Sequence, residues 1–236
     1  MKKFTLYMLA ALTAMIIMTS AKSSKRNSMP KGIDLEQVRA EVNDPKSEFF
    51  YDSLMAAFER VDTSMTLEDY RYLYFGTMFR EDYNPYRRNA YTDIINPLTH
   101  KATHTRAECD TLMKYTQLAL LDTPFDLAQI NFLIYALRSK QKYNEADIWQ
   151  YRLNHLLQAI VSTGSGADTT SAWYVIYPRD EATIVNIGKN VQTLRPTFIE
   201  PYYDCIEVTD DQGKKQDFYF NISPVLDEYY LKYPED

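Results

Sequence analysis

Three histidines and two cysteines are the whole supply of soft ligands and readily activated nucleophiles in this chain of 236 residues. His100, His104 and Cys109 come nearest to a metal cluster, with spacings of four and then five. Two histidines four apart bind one ion when they share a helix face, but Thr105 followed by Glu108 reads as the cap of the next helix, which leaves both in a loop. No fourth ligand presents itself, so no metal is expected. Gly164-Ser165-Gly166 with Asp168 has the texture of a phosphate-cradling loop. Such loops follow a strand and open a helix, whereas here a helix precedes and a strand follows. A helix stop with glycine in the left-handed conformation accounts for both glycines, and no cofactor is expected.

Covalent hydrolysis needs a nucleophile and a base, and His155 is the one histidine outside the loop. No G-x-S-x-G elbow surrounds any serine. The acid pairs Asp180-Glu181 and Asp210-Asp211 could serve a glycosidase only across a cleft. Neighbours on a strand point to opposite faces, so both pairs are read as solvated turn acids. Tyrosine is the chain's richest chemical resource, at 20 residues. A tyrosine offers rigid area with a polar tip, suited to stacking on sugars or gripping a protein. Tyr83, Tyr86 and Tyr91 gather in one irregular stretch and are the expected binding residues.

These side chains are carried on a chain laid out for export. Lys2 and Lys3, the apolar run Phe4 to Met18 and the small residues Thr19-Ser20-Ala21 have the layout of a secretory signal peptide over residues 1–21. The apolar run is short of the roughly 20 residues that span a bilayer, so no transmembrane span is expected after cleavage. Residues 22–32 are polar and read as a disordered tether. Losing residues 1–21 removes two lysines and no acid, so 24 basic residues face 32 acidic ones and the net charge moves from -6 to -8. An acidic surface repels phosphate backbones, which argues against nucleic-acid partners. Periplasmic or secreted localisation follows from the leader. Cys109 and Cys205 could pair in such a compartment, or rest as two buried thiols.

From Ile33 onward, capping signals punctuate apolar stripes of helical period. Asp34 with Gln37, Asp44 before Pro45, Thr66 with Asp69, Thr105 with Glu108, and Asp126 with Gln129 each mark a helix start. Between Arg80 and His104 the pattern fails and a long loop is predicted. The helices starting at Asp126 and Asn144 form a tetratricopeptide-like hairpin, with Ala136 and Ala146 as the small contact residues. After Ser162 the texture changes. Strands are predicted at Trp173 to Tyr177, Thr183 to Ile187, Tyr203 to Val208 and Gln216 to Ile222, the last two as a hairpin, before a short helix begun by Ser223-Pro224. The expectation is one α+β domain over residues 33–236, helical in 33–163, with a small, mainly antiparallel sheet in 170–236.

The run EFFYDSLMAAFERVDTSMTLEDYRYLYFGTMFREDYNPY, from Glu48 to Tyr86, resembles the opening of domain-of-unknown-function family 4919, an uncharacterised family of secreted Bacteroidetes proteins. The Ser162 to Gly166 turn, Trp173-Tyr174-Val175-Ile176 with Asp180-Glu181 after it, Asp204, and Tyr219-Phe220-Asn221-Ile222 follow in the family's order. Arg179 and Ala182 depart from it. The resemblance implies secretion and a recurrent fold, and brings no activity or site. The function expected from the residues is a non-enzymatic protein-interaction or glycan-binding role. The alternative is a periplasmic hydrolase assembled from His155 and distant acids such as Asp168, Asp180, Glu181 and Asp204.

Overall fold

The computed structural model describes residues 32–101, 103–187, 192–193, 195–210 and 212–234. The expected leader and nearly all of the tether lie outside them. The helical half contains α1 (Leu35–Asn43), α2 (Tyr51–Glu59), α3 (Leu67–Gly76), α4 (Thr92–Thr99), α5 (Arg106–Asp122), α6 (Leu127–Ser139) and α7 (Tyr143–Val161). The sheet half contains β1 (Trp173–Tyr174), α8 (Glu181–Asn186), β2 (Gln192–Thr193), β3 (Thr197–Ile199), β4 (Tyr203–Thr209), β5 (Lys215–Asn221) and α9 (Ser223–Lys232). This is the α+β class that the sequence predicts.

Local chemistry sets the helix starts. Thr66 and Asp69 close a reciprocal capping box on α3, and Thr105 and Glu108 do the same on α5. Asp34 accepts the Gln37 N–H at 3.0 Å, and Asp126 accepts that of Gln129 at 3.0 Å. Each such cap satisfies a donor that a helix N-terminus otherwise leaves orphaned. Asp44 behaves differently from expectation: it is the C-cap of α1, and its carboxylate takes the Lys46 N–H at 2.9 Å in a turn, so α2 starts only at Tyr51. Inside the predicted loop, the Asn89 side chain accepts the Tyr91 N–H at 2.7 Å and opens α4, which buries Ile95. Pro97 sits near the end of that helix, where its missing N–H does least harm.

β4 is the spine of the sheet. It pairs antiparallel with β5 along its length, from Tyr203 opposite Asn221 to Thr209 opposite Lys215. On its other edge β3 and β2 lie in tandem, both antiparallel, while β1 joins β5 in parallel. The predicted strand at Thr183 to Ile187 is instead the helix α8. Pro178 starts a 3-10 turn that feeds it, and Ile184 and Val185 are both buried, so tertiary burial overrides the strand preference of a β-branched run. Of Trp173 to Tyr177 only the first two residues pair as strand.

One apolar cluster runs from Val38 in α1 to Val225 in α9 and takes in Leu73, Phe125, Leu156, Ile206 and Phe220. Polar pins cross it at Ile176, whose N–H donates to the Tyr74 hydroxyl at 3.3 Å and whose carbonyl accepts from Tyr83. Ala136 and Ala146 have no exposed surface; Ala136 belongs to a small cluster with Ile95, Leu112 and Ala119, and Ala146 to the main one. Both cysteines are free, Cys109 buried and Cys205 half-buried on β4.

Candidate functional site

The segment from Tyr177 to Glu181 joins the two halves and carries two consecutive acids with no exposed surface, Asp180 and Glu181. This corrects their reading as solvated turn acids. They stand on a helical turn, where successive side chains diverge, and each meets a different half of the molecule. Asp180 turns toward the helices. Its Oδ1 accepts the Leu127 N–H at 3.2 Å, beside Asp126, whose Oδ2 pairs with the Arg179 guanidinium at 3.2 Å. Burial, then the neighbouring Asp126 charge, pushes Asp180 well above the usual carboxylate range.

Glu181 turns toward the sheet and meets Asp204 of β4. Neither Glu181 oxygen has a hydrogen-bond partner among the described residues, and the acid beside it is Asp204. Burial, and after it the Asp204 and Asp180 charges, pushes Glu181 up to about 9, so of the two neighbouring acids Glu181 is the one that keeps its proton. Burial raises Asp204 as well, while Glu181 beside it draws it back down. Asp204, half-buried, is the more open of the two acids and gives up its proton more readily than Glu181.

Exposed aromatic side chains from three other segments are linked to this pair by electrostatic coupling or strand register. Tyr86 is 51 % exposed and packs edge-on against Tyr229 of α9 at 4.9 Å. Its hydroxyl lies in the field of Tyr230, Asp204 and Glu181, which together with burial raises its pKa. Tyr230 is 57 % exposed. Phe198 of β3, 54 % exposed, is the register partner of Asp204 and so shares its face of the sheet. The loop that delivers Tyr86 is held by the Arg179 guanidinium, which donates to the Pro85 and Arg87 carbonyls at 3.4 and 3.2 Å.

The other residues singled out in the sequence lie apart from this arrangement. Tyr83 is buried, with its hydroxyl on the Ile176 carbonyl, and Tyr91 packs against Tyr115 at 5.4 Å. His155 stacks on Tyr70 at 4.7 Å and sets Nδ1 against the Tyr151 carbonyl. Asp168 caps a 3-10 turn through the Thr170 and Ser171 N–H groups. His104 lies between the Tyr135 hydroxyl and the Leu98 carbonyl. Among the described residues no three His, Cys, Asp or Glu side chains converge as metal ligands, and no helix is long and apolar enough to cross a membrane.

Fold and geometry together define an α+β protein with a buried Glu181, a half-buried Asp204 beside it and exposed aromatic rings on neighbouring segments. The chain belongs to the domain-of-unknown-function family DUF4919, whose profile matches residues 36–231. No curated protein and no solved structure matches it.

Proposed function

We propose that the protein is an exported, non-enzymatic glycan-binding protein, with the Asp204 carboxylate accepting sugar hydroxyls and the exposed rings of Tyr86, Tyr230 and Phe198 supplying stacking area. The observation that carries this reading is the placement of Asp204 beside the buried, protonated Glu181. A half-buried carboxylate beside a neutral acid keeps its accepting oxygens for a ligand, and open aromatic faces on neighbouring segments suit the apolar face of a pyranose. The loop tyrosines divide the work: Tyr86 contacts ligand, while Tyr83 and Tyr91 anchor the loop.

A hydrolase using the same acids is the second reading, favoured by the neutral Glu181 beside the more readily ionised Asp204, since acid–base pairs are separated in this way. Burial weighs against it. Glu181 has no exposed surface, so no substrate atom reaches it. A glycosidase also needs both carboxyl groups open to the scissile bond, and here only Asp204 has accessible surface.

Titration against a broad panel of soluble polysaccharides and oligosaccharides tests the proposal. The expected result is saturable binding that Asp204→Asn abolishes and Tyr86→Ala weakens about tenfold, with no release of reducing ends. Failure of the whole panel to bind rejects the glycan reading. Hydrolysis lost in both Asp204→Asn and Glu181→Gln, with folding intact, establishes the hydrolase instead.

A further inference from the structure

A cleft of about 230 Å³, whose lining includes none of Tyr86, Glu181 and Asp204, lies between α2, the residues after α3, and the link from α5 to α6. Tyr177 forms part of its lining and is 4 % exposed. Among the described residues the Tyr177 hydroxyl has no hydrogen-bond partner, and it keeps some accessible surface, so it opens toward the cleft with a donor and an acceptor to offer. The neighbouring Tyr51 hydroxyl is already committed: Thr77 donates to the Leu73 carbonyl at 3.1 Å and so receives from Tyr51 at 3.2 Å. Tyr177 is thus the free hydroxyl of the cleft.

Charges of both signs also line the cleft. Arg80 and Asp82 both act on the Tyr51 hydroxyl. The Arg80 guanidinium has one ion pair, a solvent-exposed contact of 3.4 Å with Asp52, which a ligand can replace at little cost. The exposed Asp82 carboxylate has neither an ion pair nor a hydrogen bond among the described residues. Asn84 spends its side-chain oxygen on the Tyr86 N–H at 2.9 Å, which leaves its amide hydrogens to give.

We propose that this cleft binds a free α-amino acid as the zwitterion. Its carboxylate would meet Arg80, the Tyr177 hydroxyl and the Asn84 amide, its ammonium group Asp82, and its side chain the exposed Leu121 at the mouth. Drug-sized ligands occupy about 300–1,000 Å³, so the smaller cleft suits a single amino acid and excludes nucleotides and oligosaccharides. Donors and an acceptor within one small space match a ligand that carries both charges on one carbon, and a purely anionic ligand would leave Asp82 opposed.

The test is calorimetric titration of the whole protein with each of the common amino acids, and with the N-acetyl and carboxamide forms of any that binds. Expected is saturable binding by at least one amino acid, lost in both blocked forms, and weakened about tenfold by Tyr177→Phe and by Asp82→Asn. Thermal melting confirms that both variants fold. The idea fails if no amino acid binds, if the blocked forms bind as well as the parent, or if both variants keep full affinity, the result expected of a cleft that holds only water. Glycan binding should survive Tyr177→Phe, so this proposal and the one for Asp204 stand or fall separately.

Discussion

Glu181 is where the chemistry of single residues is most exposed to test. Its carboxyl keeps a proton in the folded state up to about pH 9, against an ordinary value of 4.5. An acid with a raised folded-state pKa binds protons that the unfolded chain has already released, so stability falls as pH climbs through that window. Glu181→Gln removes the titration. The variant should therefore match the wild type near pH 5 and exceed it near pH 8 by on the order of 1–3 kcal/mol, with Asp180 still contributing some slope to both. Urea melts at the two pH values check this, and parallel stability curves would show that Glu181 ionises like a surface acid. Arg179 is a second residue with a defined job. It departs from the expected family pattern, yet it neutralises Asp126, holds the Pro85 and Arg87 carbonyls and lies 4.3 Å over the Tyr177 ring.

At the scale of elements, the turn after α7 sets where the sheet begins. A methyl group on Gly164 would lie 2.1 Å from the Ser171 carbonyl oxygen and 2.8 Å from that of Ala172, both backbone atoms with nowhere to go. Gly213, in the β4–β5 turn, has positive φ but open space around it. Gly164→Ala should cost on the order of 2–4 kcal/mol and Gly213→Ala about 1 kcal/mol, read from denaturant midpoints. Equal costs would mean that the first turn opens freely. The same contrast between local and distant causes explains what the sequence could disclose. The capping boxes at Thr66 and Thr105 act over three residues, and the alternation of Phe218 and Phe220 against Asp217 and Tyr219 is written in β5 itself, so both were legible. Asp180 and Glu181 were misread because their burial depends on partners far along the chain: Leu127, 53 residues away, for Asp180, and Asp204 for Glu181. Helix α8 was missed because Thr183-Ile184-Val185 favours a strand until Pro178 and the core dictate otherwise. The abundance of tyrosine points to Tyr86, but the charges of Asp204 and Glu181 that act on it follow only from the meeting of the two halves.

In the whole molecule, one apolar cluster joins the helices to the sheet, beside a smaller one of Ile95, Leu112, Ala119 and Ala136 within the helical half. Val175, Ile176 and Tyr177 lie in the same apolar cluster as Leu73, Tyr74 and Phe75, and the Tyr74 hydroxyl receives the Ile176 N–H at the centre of that contact. Tyr74 has no exposed surface, so Tyr74→Phe deletes one oxygen and leaves a buried N–H without its acceptor, a loss of about 1–3 kcal/mol. If the two halves are one cooperative unit, that loss appears equally in both. The chain supplies its own reporters, because Trp149 sits in α7 and Trp173 in β1. Unfolding followed by fluorescence in Trp149→Phe reads the sheet, in Trp173→Phe the helices, and far-ultraviolet circular dichroism reads mostly helix. All three transitions should coincide, and introducing Tyr74→Phe should shift them by the same amount. A helical signal that survives after the Trp173 signal is gone would mean that the sheet is a detachable layer. The surroundings of Asp204 could then not be rigid, since Glu181 is buried beside it only while the halves stay together.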